Sequence, residues 1–592
     1  MRLLTLGFLS AVLIACSAPP AQELEETLVS TESGRVVGFA SEHPVVRWLD
    51  VPYAQPPIAD LRWRAPQRLA ASEEKLIPAE TPILCPQEAG ETSGIVTGGI
   101  VGSEDCLYLD VAAPADYASQ SYPVMFWIHG GANTSGHKGP YDFSALAAKE
   151  KVVVVTINYR LGPLGWFTHP ALKESAGDLN ASGNFGTLDI IAALEWTQRN
   201  IRVFGGDPGN VTIFGESAGG RNVYSMLASP LSAGLFHKAI AQSPTLQSYS
   251  PQQAYNEEKE YPQLSRGSWE VVANLGMQNA SVTAAELRAT SAEVLLGEYF
   301  AIYKDHAEPL IVNDGQVIPR EGLIAALGDS RYAKNVPVMA GSNRDEVSLW
   351  LGLSRYFVDA DSLFGVLPPK VRVRDPELFE YWVSQRGRGW KARGVDAPLL
   401  SLESAGYQDL YAYRFDWDEQ ADNWFVPFSE VLGAAHGSEI AFVMGAPMYG
   451  SVGEYMYPDT DSAQAMTDIM MTAWGQFART GSPGSVDGIA WPQFQAASLE
   501  VMVLDSGDES PQLVQDSPGL DGLLTEIANT PSRLNDTETC MLVWELLTTV
   551  GDAAYSDYES WQDGRCAMLD VPKEKAATRA ALTKEYGSPD LF

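Results

Sequence analysis

The sequence predicts an α/β fold with a large, mostly parallel central sheet flanked by helices, and three observations carry that expectation. Short apolar runs at 123–128, 152–158 and 336–340 are long enough only for buried strands. Segments with helical spacing alternate with them, as from Asn184 to Asn200 and from Gln464 to Ala478. Between these lies Val211-Thr212-Ile213-Phe214-Gly215-Glu216-Ser217-Ala218-Gly219-Gly220, an apolar strand that turns sharply at glycines and should continue as a helix. That turn is a nucleophile elbow, with the Ser217 hydroxyl at its tip.

The chain opens on a targeting segment: Arg2, then the apolar run Leu3 to Ala15, too short to span a bilayer. It ends Leu13-Ile14-Ala15-Cys16, which resembles a bacterial lipobox. The resemblance implies cleavage before Cys16, lipidation of that residue and export, leaning toward the outer membrane. Residues 16–30 then read as a flexible tether and 31–535 as the catalytic unit. Residues 536–592 read as a helical C-terminal extension. Cys85, Cys106, Cys540 and Cys566 remain, an even number that in an exported chain implies two disulfides. Three pairings are open. The local one, 85–106 and 540–566, is the simplest and closes loops worth roughly 3 kcal/mol each.

Hydrophobic residues make up 45% of the 592, enough for a large core. The net charge of −35 argues against a nucleic-acid partner. No Cys-x-x-Cys or His-x-x-x-His spacing occurs, so neither a metal nor a cofactor is expected.

Taken in order, Glu32 to Gly38 reads as a hairpin edge and Val51-Pro52-Tyr53-Ala54 as extended chain. Strand 123–128 ends in His129-Gly130-Gly131-Ala132. Gly205-Gly206-Asp207-Pro208 stops helix 184–200 and leads into the elbow strand. Residues 245–330 read as mainly helical, with a capping box at Thr283 to Glu286, and 360–400 as helical patches. Strand 336–340 opens into Arg344-Asp345-Glu346. Strands follow at 411–417 and 501–504, with the loop Gly433-Ala434-Ala435-His436-Gly437 between them.

These stretches together resemble the type-B carboxylesterase and cholinesterase family of α/β-hydrolases, from about residue 31 to 500. The motifs are Val51 to Ala54 with Leu61-Arg62-Trp63, Glu104 to Leu109, His129 to Ala132 and Asn184 to Asp189. Further on come Phe204 to Gly219, Arg344-Asp345-Glu346 and His436-Gly437-Ser438-Glu439-Ile440. The resemblance implies an α/β-hydrolase fold and hydrolysis of a small-molecule ester through an acyl-enzyme. The alternatives are a non-catalytic recognition module, as in a branch of the family that loses the serine present here, and a lipase or amidase variant of the same fold.

The chemistry points the same way. A serine hydroxyl needs a neighbouring base, and α/β-hydrolases place nucleophile, acid and histidine in that order. Only His237, His306 and His436 follow Ser217. His237 falls just past the elbow helix, and His306 precedes every good acid. His436, in a glycine-flanked loop after a strand, is therefore the expected base, and the resemblance makes Glu346, after strand 336–340, the acid, with the adjacent Asp345 pointing elsewhere. The resemblance assigns the oxyanion hole to Gly131, Ala132 and Ala218. Asn133, where an apolar or aromatic residue is usual, should make the pocket mouth more polar. Glu216 either faces the alcohol side of the site or is a buried, hydrogen-bonded carboxyl. The resemblance also implies that Glu104 pairs with Arg62 or Arg64 as a structural salt bridge.

Loop 86–105 has no aromatic residue, although cholinesterases place there a tryptophan that binds quaternary ammonium. The family's mid-chain disulfide is missing as well. Neutral esters are the expected substrates, and Trp350, Trp417 and Trp424 are the first places to look for a cation site built outside this loop.

Overall fold

A computed structural model describes residues 23–591, apart from 91–94, 96–97, 174–177, 265–266, 303–307, 363–368, 449, 508, 516–518 and 531–532. The leader and Cys16 lie outside the described residues. The second half of the expected tether is instead a strand, β1 (Glu23–Thr31), paired antiparallel with β2 (Gly34–Ala40). Its acidic residues are tolerable because β1 is the sheet's edge, where Glu23, Glu25 and Glu26 face solvent while Thr27 is buried.

The sheet continues with β3 (Val45–Pro52), β4 (Tyr108–Pro114), β5 (Tyr122–Ile128), β6 (Val153–Ile157) and β7 (Gly206–Glu216). It is completed by β8 (Lys238–Gln242), β9 (Val338–Asn343), β10 (Leu410–Phe415), β11 (Glu500–Leu504) and β12 (Gln512–Gln515). These 12 strands lie in the order β1-β2-β3-β4-β6-β5-β7-β8-β9-β10-β11-β12. From β6 to β11 every neighbouring pair is parallel.

Both faces of the parallel strands are covered, which is why they read as unbroken apolar runs. Val124, Phe126 and Ile128 of β5 enter one core, while Met125 and Trp127 enter the other; β6 divides the same way. Six of the helices bear on the site or on the core behind it. They are α1 (Phe185–Asn200), α2 (Ala218–Ala228), α3 (Pro376–Trp390), α4 (Asp461–Thr480), α5 (Gly519–Asn529) and α6 (Asp536–Thr548). The first two cover one face of the sheet and α4 covers the other.

A third core stands apart from the sheet. It joins Val347 and Phe357 to Trp382 and Trp390 of α3, Leu523 of α5 and Leu542 and Leu546 of α6. It runs across residue 535, so the C-terminal helices pack onto the unit that carries the site. Disulfides join Cys85 to Cys106 and Cys540 to Cys566, the local pairing. The 360–400 stretch is less helical than expected, since Val358–Ser362 and Pro369–Val373 form a hairpin before α3. Its alternation of valine or alanine with charged residues is a strand pattern. Glu104 pairs with Arg62, whose Nε donates to it at 2.7 Å. The Thr283 capping box is present.

Candidate active site

The elbow is held by close backbone approach. A Cβ on Gly219 would stand 2.0 Å from the Ile128 carbonyl oxygen, and one on Gly215 would stand 2.6 Å from the same atom. Only glycine lets β7 and α2 sit this tightly against β5. Ser217 itself takes φ 58° and ψ −121°, a strained conformation for a residue with a side chain. Its N–H donates to the Gln242 carbonyl at 2.9 Å, which ties the strained turn to β8.

The acid and the base come from the loops after β9 and β10. Glu346 is fully buried, and its Oε1 accepts the Asn343 N–H at 2.9 Å. Its Oε2 lies 2.5 Å from His436 Nδ1. The other ring nitrogen, Nε2, is 3.1 Å from Glu216 Oε1, in ion-pair range but without hydrogen-bond alignment. Glu216 immediately precedes Ser217, so this contact brings the imidazole to the elbow. The structure thus gathers Ser217, Glu346 and His436 from three separate loops.

Electrostatics couple the groups. Burial pushes the Glu216 carboxyl up to about 8, with Glu439 and Glu346 adding to the rise and His436 opposing it. Burial disfavours a charged His436, but Glu216, Glu346 and Glu439 outweigh it and bring the imidazole up to about 9.

Gly130 abuts the nucleophile, since a Cβ there would lie 3.1 Å from Ser217 Cβ. Gly131, Ala132 and Asn133 follow with φ of 90°, 53° and 55°, a tight left-handed turn beside Ser217. Ala218 opens α2, so no carbonyl one turn back takes its N–H. These amides can serve a developing oxyanion.

Two expectations are revised by this geometry. Asn133 is not at a pocket mouth. It is fully buried, and its Oδ1 accepts from Asn222 Nδ2 at 2.9 Å and from the Tyr159 hydroxyl at 3.3 Å. Asparagine suits the left-handed backbone there and props the loop from behind. Of the three tryptophans, Trp417 is buried and donates to Ser462 at 2.8 Å, while Trp424 is exposed with Lys370 over its ring. Only Trp350 reaches the site, 5.1 Å from the His436 ring.

Glu439 and Trp390 have no role that the sequence alone assigns. Glu439 is fully buried, held by Asn343 Nδ2 at 2.7 Å and Gln242 Nε2 at 3.1 Å. Its place three residues after His436 is the available signal. Trp390 packs 4.9 Å from the imidazole and carries no motif. Among the described residues no cluster could hold a metal ion.

An elbow serine, a carboxylate-backed imidazole and a left-handed amide turn on a mostly parallel sheet define a serine hydrolase of the α/β-hydrolase class. The sequence profile of the carboxylesterase family matches residues 25–361 and 398–517. The chain belongs to that family and is a serine ester hydrolase. It is 32% identical to the para-nitrobenzyl esterase of Bacillus subtilis over 81% of this chain and 95% of that protein. It is likewise 32% identical to human carboxylesterase 3, over 82% of this chain and 89% of the other. A solved PNB esterase structure superposes with a TM-score of 0.64 at 30% identity, covering 82% of this chain and 96% of the other.

Proposed function

We propose that Ser217, His436 and Glu346 carry out ester hydrolysis on neutral substrates through an acyl-enzyme. The observation that carries this is the imidazole held at Nδ1 by Glu346 while its Nε2 reaches the residue beside Ser217. Ser217 Oγ attacks the ester carbonyl as His436 Nε2 takes its proton. Glu346 keeps the tautomer and steadies the imidazolium. The amides of Gly131, Ala132 and Ala218 receive the oxyanion. The imidazolium then protonates the departing alcohol, and water repeats the sequence on the acyl-enzyme. Ser217→Ala should cut ester turnover by several powers of ten and abolish fluorophosphonate labelling while the protein stays folded. Turnover within tenfold of the parent would refute the assignment.

Neutrality of the substrate rests on loop 86–105, which offers no aromatic face to a trimethylammonium group. At 0.15 M salt, where long-range attraction by the acidic surface is screened, neutral short-chain esters should exceed choline esters of the same acyl group in kcat/KM. A choline ester that outpaced its neutral isostere would overturn this.

We further infer that the protein is exported and anchored to a membrane through lipid on Cys16. Support comes from the apolar run that ends at Cys16 and from two disulfides, which suit an oxidising compartment. Cys16→Ala should move it to the soluble fraction; a variant still pelleting with membranes after a high-salt wash would refute the anchor.

A further inference from the structure

The end of the chain lies beyond the segments that match the family profile, yet it returns to the active site. Helix α7 (Val571–Tyr586) is capped by Asp570, whose side chain accepts the Lys573 N–H at 3.1 Å, and Pro572 fits its first turn. It stops at Gly587, which takes φ 85° and donates its N–H to the Thr583 carbonyl at 2.8 Å. Glycine suits this left-handed cap, which redirects the chain. Residues 589–591 then pair with 353–355. The Arg355 N–H donates to the Pro589 carbonyl at 2.9 Å and the Leu591 N–H to the Leu353 carbonyl at 2.8 Å, on either side of an antiparallel bridge between Ser354 and Asp590.

Side chains reinforce the pairing. Two guanidinium groups meet the Tyr586 ring, Arg355 at 5.3 Å and Arg374 at 5.0 Å from its centre. Arg374 also donates to the Tyr586 hydroxyl and pairs with Asp359 at 2.7 Å, which ties the ring to the 358–373 hairpin. Arg579 pairs with Asp590 at 3.1 Å. Within α7 only Val571 is fully buried. Backbone pairing, charge and one aromatic ring therefore hold the tail, and no large apolar face depends on it.

What the tail grips is the outer end of the turn that follows the catalytic acid. After Glu346 comes the short helix Ser348–Leu351, and the Leu353 N–H donates back to the Trp350 carbonyl at 3.2 Å. Ser348 Oγ fixes the inner end by donating to the Asp345 carbonyl at 2.7 Å. Between these two ends stands Trp350, 46% exposed, with its ring 5.1 Å from the buried imidazole of His436. A half-exposed indole against a buried imidazole keeps water from that side of the base. We propose that the C-terminal tail, Tyr586 with residues 589–591, is a positioning element of the reaction: by clamping the outer end of this turn it holds Trp350 on His436. This rests on the catalytic assignment of Ser217 and His436. A catalytic group displaced by about 1 Å through a distant change can lose about a hundredfold in rate.

The test compares the parent with a chain ending at Gly587, with Tyr586→Ala and with Tyr586→Phe, on methyl butyrate. The shortened chain and Tyr586→Ala should each lose about ten- to a hundredfold, in acylation and in hydrolysis of the butyryl-enzyme alike, because His436 serves both steps. Tyr586→Phe keeps the ring against the guanidiniums and should keep most of the rate. The pH profile separates positioning from mere support. Burial holds the His436 pKa down, while Glu216, Glu346 and Glu439 outweigh it and lift it to about 9. Water reaching the ring weakens both influences and returns the pKa toward its ordinary 6.5, so the acid limb of kcat/KM should move to lower pH as the plateau falls. Unchanged rates in Tyr586→Ala, or a rate loss with the limb unmoved, would overturn the proposal and leave the tail a support for stability alone. Should the shortened chain fail to fold, the Tyr586 pair decides. A parent that a fluorophosphonate does not label at Ser217 would instead refute the catalytic assignment.

Discussion

The 3.1 Å between His436 Nε2 and Glu216 Oε1 sets how the site answers pH. His436 works only when neutral, and nearby carboxylates lift its pKa, so activity should climb as pH rises through that titration. Removing one negative neighbour lowers the imidazole pKa and frees the base at lower pH. Glu216→Gln should therefore move the acid limb of kcat/KM to lower pH, by about one unit or more. A pH–rate profile on a neutral ester measures this. An unmoved limb would mean that Glu216 is protonated throughout and exerts no field on the ring. At this scale the sequence is most informative where chemistry forces residue type and order, as for Ser217, Glu346 and His436. It is least informative where the direction of a side chain decides. Asn133 turns inward because its backbone is left-handed, and no neighbouring letter announces that. Glu439 acts through its charge across a fold-dependent gap.

Among elements, the elbow has the least freedom. With the Ile128 carbonyl 2.0 Å from where a Cβ on Gly219 would stand, Gly219→Ala must push α2 away from β5. A cost of about 1–3 kcal/mol is expected, read as a lower thermal midpoint together with slower acylation, because Ser217 and the oxyanion loop separate. A variant as stable and as active as the parent would show that the elbow can relax. The parallel strands are legible because burial on both faces makes them uniformly apolar. The hairpin at 358–373 is hidden although Val358, Ala360, Val371 and Val373 alternate with charged residues. Its alternation is short, and a long helical stretch follows it. Strand β1 is hidden because its acidic letters resemble those of a tether, and only its partner β2 makes it a strand.

At the level of the whole molecule, the third core depends on a covalent tie. Cys540 and Cys566 are 26 residues apart in sequence, and chain-entropy arguments give such a closure roughly 3 kcal/mol. Replacing both with serine should lower thermal stability by about that amount, read by calorimetry. An acyl-enzyme should still form on a neutral ester, because Ser217 rests on the sheet. Loss of all esterase activity in a folded variant would show that the third core also holds up the sheet. That core is the part of the fold least legible in sequence. Its residues come from positions 347 to 571, and only tertiary contact groups them.

The division between cores has a consequence for descent. The nucleophile sits on a sheet whose sequence matches the family profile, whereas Trp390 sits in a stretch between the matched segments. Substitutions in that stretch can therefore alter what surrounds the imidazole while the nucleophile's turn keeps its own glycines. Mutants selected for new substrates should accumulate there first, while the elbow and its glycines stay as they are.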